Sequence, residues 1–209
     1  EETKKAGKRM QPRRSGSFGF CSWLGLLDIL MQYCDLGKLK RRPTELYIAV
    51  TDIMDKKNRP EHLKAFCKFF KNEQFGKPRY ISGEELDSDE KLYASLIASC
   101  AMPGIYPAVI IDGVHCYDGG LWETHPIKPL ADSGCTDILV VSLYDREPAN
   151  ATAFRDAGYT VFLVRPEKSF GNFREATVDF DSSHFEYKCT LGYTDALPVV
   201  KSMMQRLRK

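Results

Sequence analysis

Apolar residues along the chain change spacing from segment to segment, and the changes predict its elements. In "FCSWLGLLDILMQYC", residues 20–34, Trp23, Leu27, Leu30 and Met31 recur three or four positions apart, which predicts an amphipathic helix. "TELYIAVTDI", 44–53, is rich in apolar and β-branched residues and reads as a buried strand. "PEHLKAFCKFFKNEQF", 60–75, fits either a helix or two strands joined by a turn. "DSDEKLYASLIASCAM", 87–102, is the clearest helix. Asp87, Ser88 or Asp89 can cap it, acids fill its first turn, and Met102-Pro103-Gly104 ends it. "AVIIDG" and "HCYDGG" read as two short strands across a hairpin turn at Asp112-Gly113. "DILVVSLY", 137–144, and "TVFLVRP", 160–166, are unbroken apolar runs, the pattern of parallel strands covered on both faces. The helical "NATAFRDAGY" lies between them, and residues 182–209 read as a helical pair broken near Pro198. Strands alternating with helices predict an α/β protein, a three-layer α/β/α sandwich with a mainly parallel sheet. Residues 1–18 carry no such periodicity and read as a basic loop or tail; residues 19–209 read as a single domain.

Composition narrows the class without changing this picture. With 209 residues, 43% hydrophobic and 28% charged, the chain is ordinary for a soluble globular protein. A net charge of +2 gives no general attraction to nucleic acid, and no nucleic-acid motif is present. The basic ends, "KKAGKRMQPRR" and "QRLRK", read as solvated tails. No apolar run approaches the ~20 residues of a membrane helix, and no signal peptide stands at the start. Seven scattered cysteines without a CxxC pair argue against a disulfide framework and a zinc site, and for a reducing, cytoplasmic setting. The chain begins at Glu1 rather than Met, as a trimmed product or a piece of a longer one would.

The candidate chemistry centres on Asp118-Gly119-Gly120. A strand ending in this tripeptide puts a carboxylate on a turn at the sheet edge, and the two glycines permit backbone angles or close approaches that side chains would block. Strand alternation sends His115 and Tyr117 to one face and Cys116 and Asp118 to the other. His115 and His125 flank Asp118 and invite a Ser-His-Asp reading, but ordinary loop or packing roles fit them better; His62 and His184, set among polar neighbours, read as surface groups. Cys100 and Cys116 read as buried small hydrophobes. No His, Cys or Asp cluster has metal-ligand spacing.

Taken in order, Thr51-Asp52 at a strand end, Ala98-Ser99-Cys100-Ala101-Met102-Pro103, Pro107, Asp112-Gly113, Asp118-Gly119-Gly120 and the late "LGYTDA" of 191–196 resemble the patatin-like phospholipase family. The resemblance spans roughly Gly25 to Lys209. It implies hydrolysis of lipid acyl esters by a Ser-Asp dyad without histidine, metal or organic cofactor. Asp118 is then the dyad acid, with Gly119 and Gly120 supporting its turn. The implied partner is a lipid or ester substrate, with peripheral contact to a membrane. The family's nucleophile sits in Gly-x-Ser-x-Gly, upstream of the Thr-Asp strand, and these 209 residues contain no such segment. The nearest string, "SGSFG" at 15–19, has Ser15 in place of the first glycine and follows "GKRMQPRR", which cannot form the apolar strand of a nucleophile elbow. Ser17 is therefore read as a decoy, the nucleophile serine as absent from this chain, and the domain as incomplete on its amino-terminal side. Thr124 stands where the family often has Asn. A relative that has lost catalysis and serves as a binding or scaffold domain is the alternative reading.

Overall fold

The computed structural model describes residues 21–41, 44–171 and 182–208; Ser17 and the tail reading of residues 1–18 lie outside the described residues. The chain divides into two compact units, one ending at Thr124 and the other beginning at His125.

The amino-terminal unit opens with helices α1 (Leu24–Tyr33) and α2 (Leu36–Lys40). Met31, one of the residues that set the predicted stripe of α1, is exposed. Strand β1 (Tyr47–Asp52), helix α3 (His62–Phe70), strand β2 (Lys77–Ser82) and helix α4 (Asp89–Ala98) follow. A hairpin of β3 (Val109–Ile111) and β4 (Val114–Asp118) and a single 3-10 turn (Gly119–Leu121) complete it. α4 forms as its sequence dictates: the Ser88 side chain accepts the Lys91 N–H at 3.2 Å, and Asp89 and Glu90 occupy the first turn. The hairpin turns on Asp112 and Gly113, at φ 51° and 78°, as the Asp-Gly pair predicts.

The four strands form one sheet in the order β2-β1-β4-β3, with every neighbour antiparallel. The expectation of a mainly parallel sheet is not met here. The alternation of strands and helices along the chain, on which that expectation rested, does not state the direction of a strand's neighbour. Both faces of the sheet are covered in this unit. Ile48, Val50, Ile81, Leu86, Leu92, Ile111 and Cys116 form one cluster, and Ile53, Ala65, Ala101, Tyr106, Tyr117 and Leu121 form another. Cys116 and Tyr117, adjacent on β4, enter different clusters, as strand alternation requires. Fully burying each large aliphatic side chain among these contributes about 1.5–3 kcal/mol.

The carboxy-terminal unit contains helix α5 (Lys128–Asp132), strand β5 (Asp137–Val141), helix α6 (Ala149–Asp156), strand β6 (Thr160–Val164) and helix α7 (Ser182–Leu207). β5 and β6 pair in parallel, as their sequences predict. Their coverage differs from the prediction: Ile138 and Val140 are buried, whereas Leu139 and Val141 are exposed. Ile127, Ile138, Val140, Ala151 and Val161 make the core of this unit. The predicted helical pair is one continuous helix, α7, which runs through Pro198 and gives up the hydrogen bond that a proline nitrogen cannot donate. Arg206 near its end binds Asp137 of β5 at 2.6 Å.

Candidate active site

Asp118 is the last residue of β4, opposite Val50 of β1, and three hydrogen bonds fix it. Its N–H donates to the Ala101 carbonyl at 3.0 Å, its carbonyl accepts the Thr51 hydroxyl at 2.9 Å, and its Oδ1 accepts the Gly120 N–H at 2.7 Å. Oδ2 accepts no hydrogen bond from the described residues. The carboxylate is thus oriented through one oxygen while the other is left as an acceptor.

The neighbouring sequence explains why this arrangement forms. Thr51 is fully buried, and its hydroxyl reaches the Asp118 carbonyl and, at 3.4 Å, that of Gly119. Asp52, next to it, turns the chain out of β1 by accepting the Met54 N–H at 2.7 Å. A Cβ on Gly119 would lie 2.7 Å from the Ala49 carbonyl oxygen, and one on Gly120 would lie 3.1 Å from Asp118 Oδ1. The two glycines are needed for close approach, since neither takes a positive φ. The end of α4 forms the supporting wall: Ala98, Ala101 and Pro103 are buried, and the chain turns at Gly104 with φ 85°, against the ring of Phe66.

The electrostatics follow from burial. Desolvation raises the Asp118 pKa above its usual value, and the Gly120 N–H opposes the shift. The Cys100 thiol is also pushed up, first by burial of the sulfur and then by the negative charge of Asp118, which places the two groups within electrostatic reach. The residue is nonetheless exposed, which corrects its reading as a buried hydrophobe; Cys116 is fully buried, with its pKa raised to about 11. On the opposite face, Tyr117 is buried with its pKa pushed up to about 12, and its hydroxyl lies 3.3 Å from His62 Nδ1. His62 is half-buried against His115 at 5.2 Å between ring centroids, not a surface group, and burial together with His115 lowers its pKa. His115 and Tyr117 share this face, away from Asp118, so the structure does not join a histidine from β4 to the carboxylate. His125 packs against Tyr144 in the other unit, and His184 is exposed. Among the described residues no group of three His, Cys, Asp or Glu side chains is placed to hold a metal ion, and no helix is long and apolar enough to cross a membrane.

Sequence reasoning marked the Thr51-Asp52 pair only as a strand end. It missed the hydroxyl's part in holding Asp118, a contact between residues 67 positions apart.

Asp118 thus ends its strand held by a Gly-Gly turn, a buried threonine and the end of α4. The family model for patatin-like phospholipase matches residues 15–131, more than half of the chain, and the protein belongs to that family. No curated protein and no solved structure matches it.

Proposed function

We propose that the protein supplies the aspartate of a Ser-Asp dyad that hydrolyses lipid acyl esters. Asp118 acts as base and stabiliser, in a complete domain built as a three-layer sandwich. The observation that carries this reading is the Asp118 carboxylate itself: Oδ1 is held by the Gly120 N–H at 2.7 Å, and Oδ2 is left as an acceptor for a serine hydroxyl proton. The serine lies outside these 209 residues, which contain no Gly-x-Ser-x-Gly. In the reaction Asp118 takes the hydroxyl proton as serine oxygen attacks the ester carbonyl. The proton passes to the leaving alcohol, and water hydrolyses the acyl-enzyme by the same route. Gly119 and Gly120 keep the turn tight enough for Asp118 to hold its position.

The test is hydrolysis of a phospholipid and of a short-chain ester by the protein expressed from its complete coding sequence. Asp118→Asn lowers the rate about 100-fold or more; retained activity overturns the dyad assignment. Catalysis needs the ionised carboxylate, and burial raises its pKa above the ordinary 3.8. The acid limb of the pH profile therefore lies above that value, and activity falls as pH drops through it. His115→Ala and His125→Ala leave the profile unchanged. The absence of a Gly-x-Ser-x-Gly from these residues favours one second reading, a non-catalytic binding or scaffold domain; a complete protein that binds lipid but hydrolyses nothing would establish it.

A further inference from the structure

A cleft of about 560 Å³ opens where β1 leaves the sheet, between residues 53–64 and 74–77. Neither Asp118 nor its two glycines line it, and its size suits a small ligand. Its lining is strongly cationic. Four lysines and Arg59 face it, against two acids, Asp55 and Glu61. Both acids are already engaged. Asp55 Oδ2 accepts from Arg59 Nε at 2.9 Å and Nη2 at 2.8 Å, and Glu61 pairs with Lys64 at 3.3 Å. The ammonium groups of Lys56, Lys57 and Lys77 have no partner among the described residues. Three unpaired like charges around one concavity raise its potential and concentrate anions there.

The cleft is also a built site. Asp55 Oδ1 accepts the backbone N–H groups of Lys57 and Arg59, each at 2.8 Å, and Asp55 N–H donates to the Arg59 carbonyl at 2.8 Å. These bonds close the loop that carries Lys56 and Lys57. Phe75 and Trp122 give the cleft an aromatic wall: Lys64 lies 5.0 Å from the Phe75 ring centroid, and Gln74 Nε2 holds the Trp122 carbonyl at 2.8 Å. Gly76, at φ 85°, leaves no room for a Cβ, which would lie 2.5 Å from the Thr51 methyl.

We propose that this cleft binds a phosphoester anion, its phosphate held by Lys56, Lys57 and Lys77 and its organic part lying against Phe75 and Trp122. Several lysines around one cleft suit a group with three acceptor oxygens and more than one negative charge better than they suit a single carboxylate. The source is either a free phosphomonoester or a lipid bearing the same group.

Trp122 is one of only two tryptophans, with Trp23, so its emission reports the cleft directly. The whole protein is titrated with glycerol 3-phosphate, and with phosphatidylcholine vesicles with and without phosphatidic acid. Saturable change with glycerol 3-phosphate supports the proposal and assigns a soluble ligand. Change only with the phosphatidic-acid vesicles supports it and assigns a lipid. In either case the triple variant Lys56→Glu, Lys57→Glu, Lys77→Glu binds at least about tenfold more weakly, Lys57→Gln alone shows a smaller loss, and Lys201→Glu on α7 binds as wild type. No response to any probe, or equal binding by the triple variant with its circular dichroism unchanged, overturns the proposal. Binding is read without hydrolysis, and Asp118→Asn retains it, so the cleft and the dyad fail or stand separately.

Discussion

At the scale of single residues, the absent Cβ of Gly119 and the hydroxyl of Thr51 act on the same few atoms. Gly119 lies against the Ala49 backbone, and a methyl group there would meet its carbonyl oxygen at 2.7 Å and carbon at 2.9 Å. Those atoms belong to β1, which is fixed on both sides by β2 and β4, so they cannot give way. Gly119→Ala therefore costs about 2 kcal/mol, read from the midpoint of urea unfolding. A loss within about 0.5 kcal/mol would mean that the turn shifts at no cost. The Asp-Gly-Gly turn was legible in the sequence because such tripeptides have few uses at a strand end. Thr51 was not legible as the clamp on Asp118. Only the register of β1 against β4, which the sequence does not state, brings the two together.

At the scale of elements, local signals were readable and pairing was not. α4 carries its own instructions, a capping serine, acids in the first turn and a Met-Pro-Gly stop, and it forms as read. Ser88→Ala removes the bond to the Lys91 N–H and costs about 1 kcal/mol, measured by thermal or urea unfolding. Ser88→Asp retains most of that stability, since an aspartate accepts the same bond. The hairpin was legible for the same reason: Asp112 and Gly113 take positive φ values, which aspartate tolerates and glycine, without a Cβ, adopts freely. β2 was missed: Lys77, Pro78 and Arg79 break the apolar pattern, and only Tyr80 and Ile81 signal a strand. The parallel direction expected of the larger sheet also failed at this scale. The alternation of strands and helices from which it was drawn fits an antiparallel sheet as well.

At the scale of the whole molecule, the two units hold separate hydrophobic clusters, and the tryptophans divide unevenly. Trp23 and Trp122 both precede His125, whereas helices occur in both units. Tryptophan emission therefore follows the unfolding of the amino-terminal unit, while far-ultraviolet circular dichroism follows both. Leu86→Ala, at a fully buried position, moves the emission midpoint by the equivalent of about 2–5 kcal/mol. Val140→Ala moves the dichroism transition and leaves the emission midpoint in place. Coincident midpoints in every variant would show that the molecule unfolds as one cooperative body.

The parallel pair β5–β6 has a consequence in isotope exchange. Among the described residues this sheet has two strands, so each has one edge facing its partner and one facing away. The Thr160 N–H donates to the Thr136 carbonyl at 2.9 Å and the Ser142 N–H to the Val164 carbonyl at 2.8 Å, which fixes the phase of the ladder at both ends. The amides of Ile138, Val140, Phe162 and Val164 then point inward, and those of Leu139, Val141, Val161 and Leu163 point outward. In deuterated water the two strands fill like a comb, with every second amide exchanging early. A slip of one residue would exchange the fast and slow sets of the strand that slips.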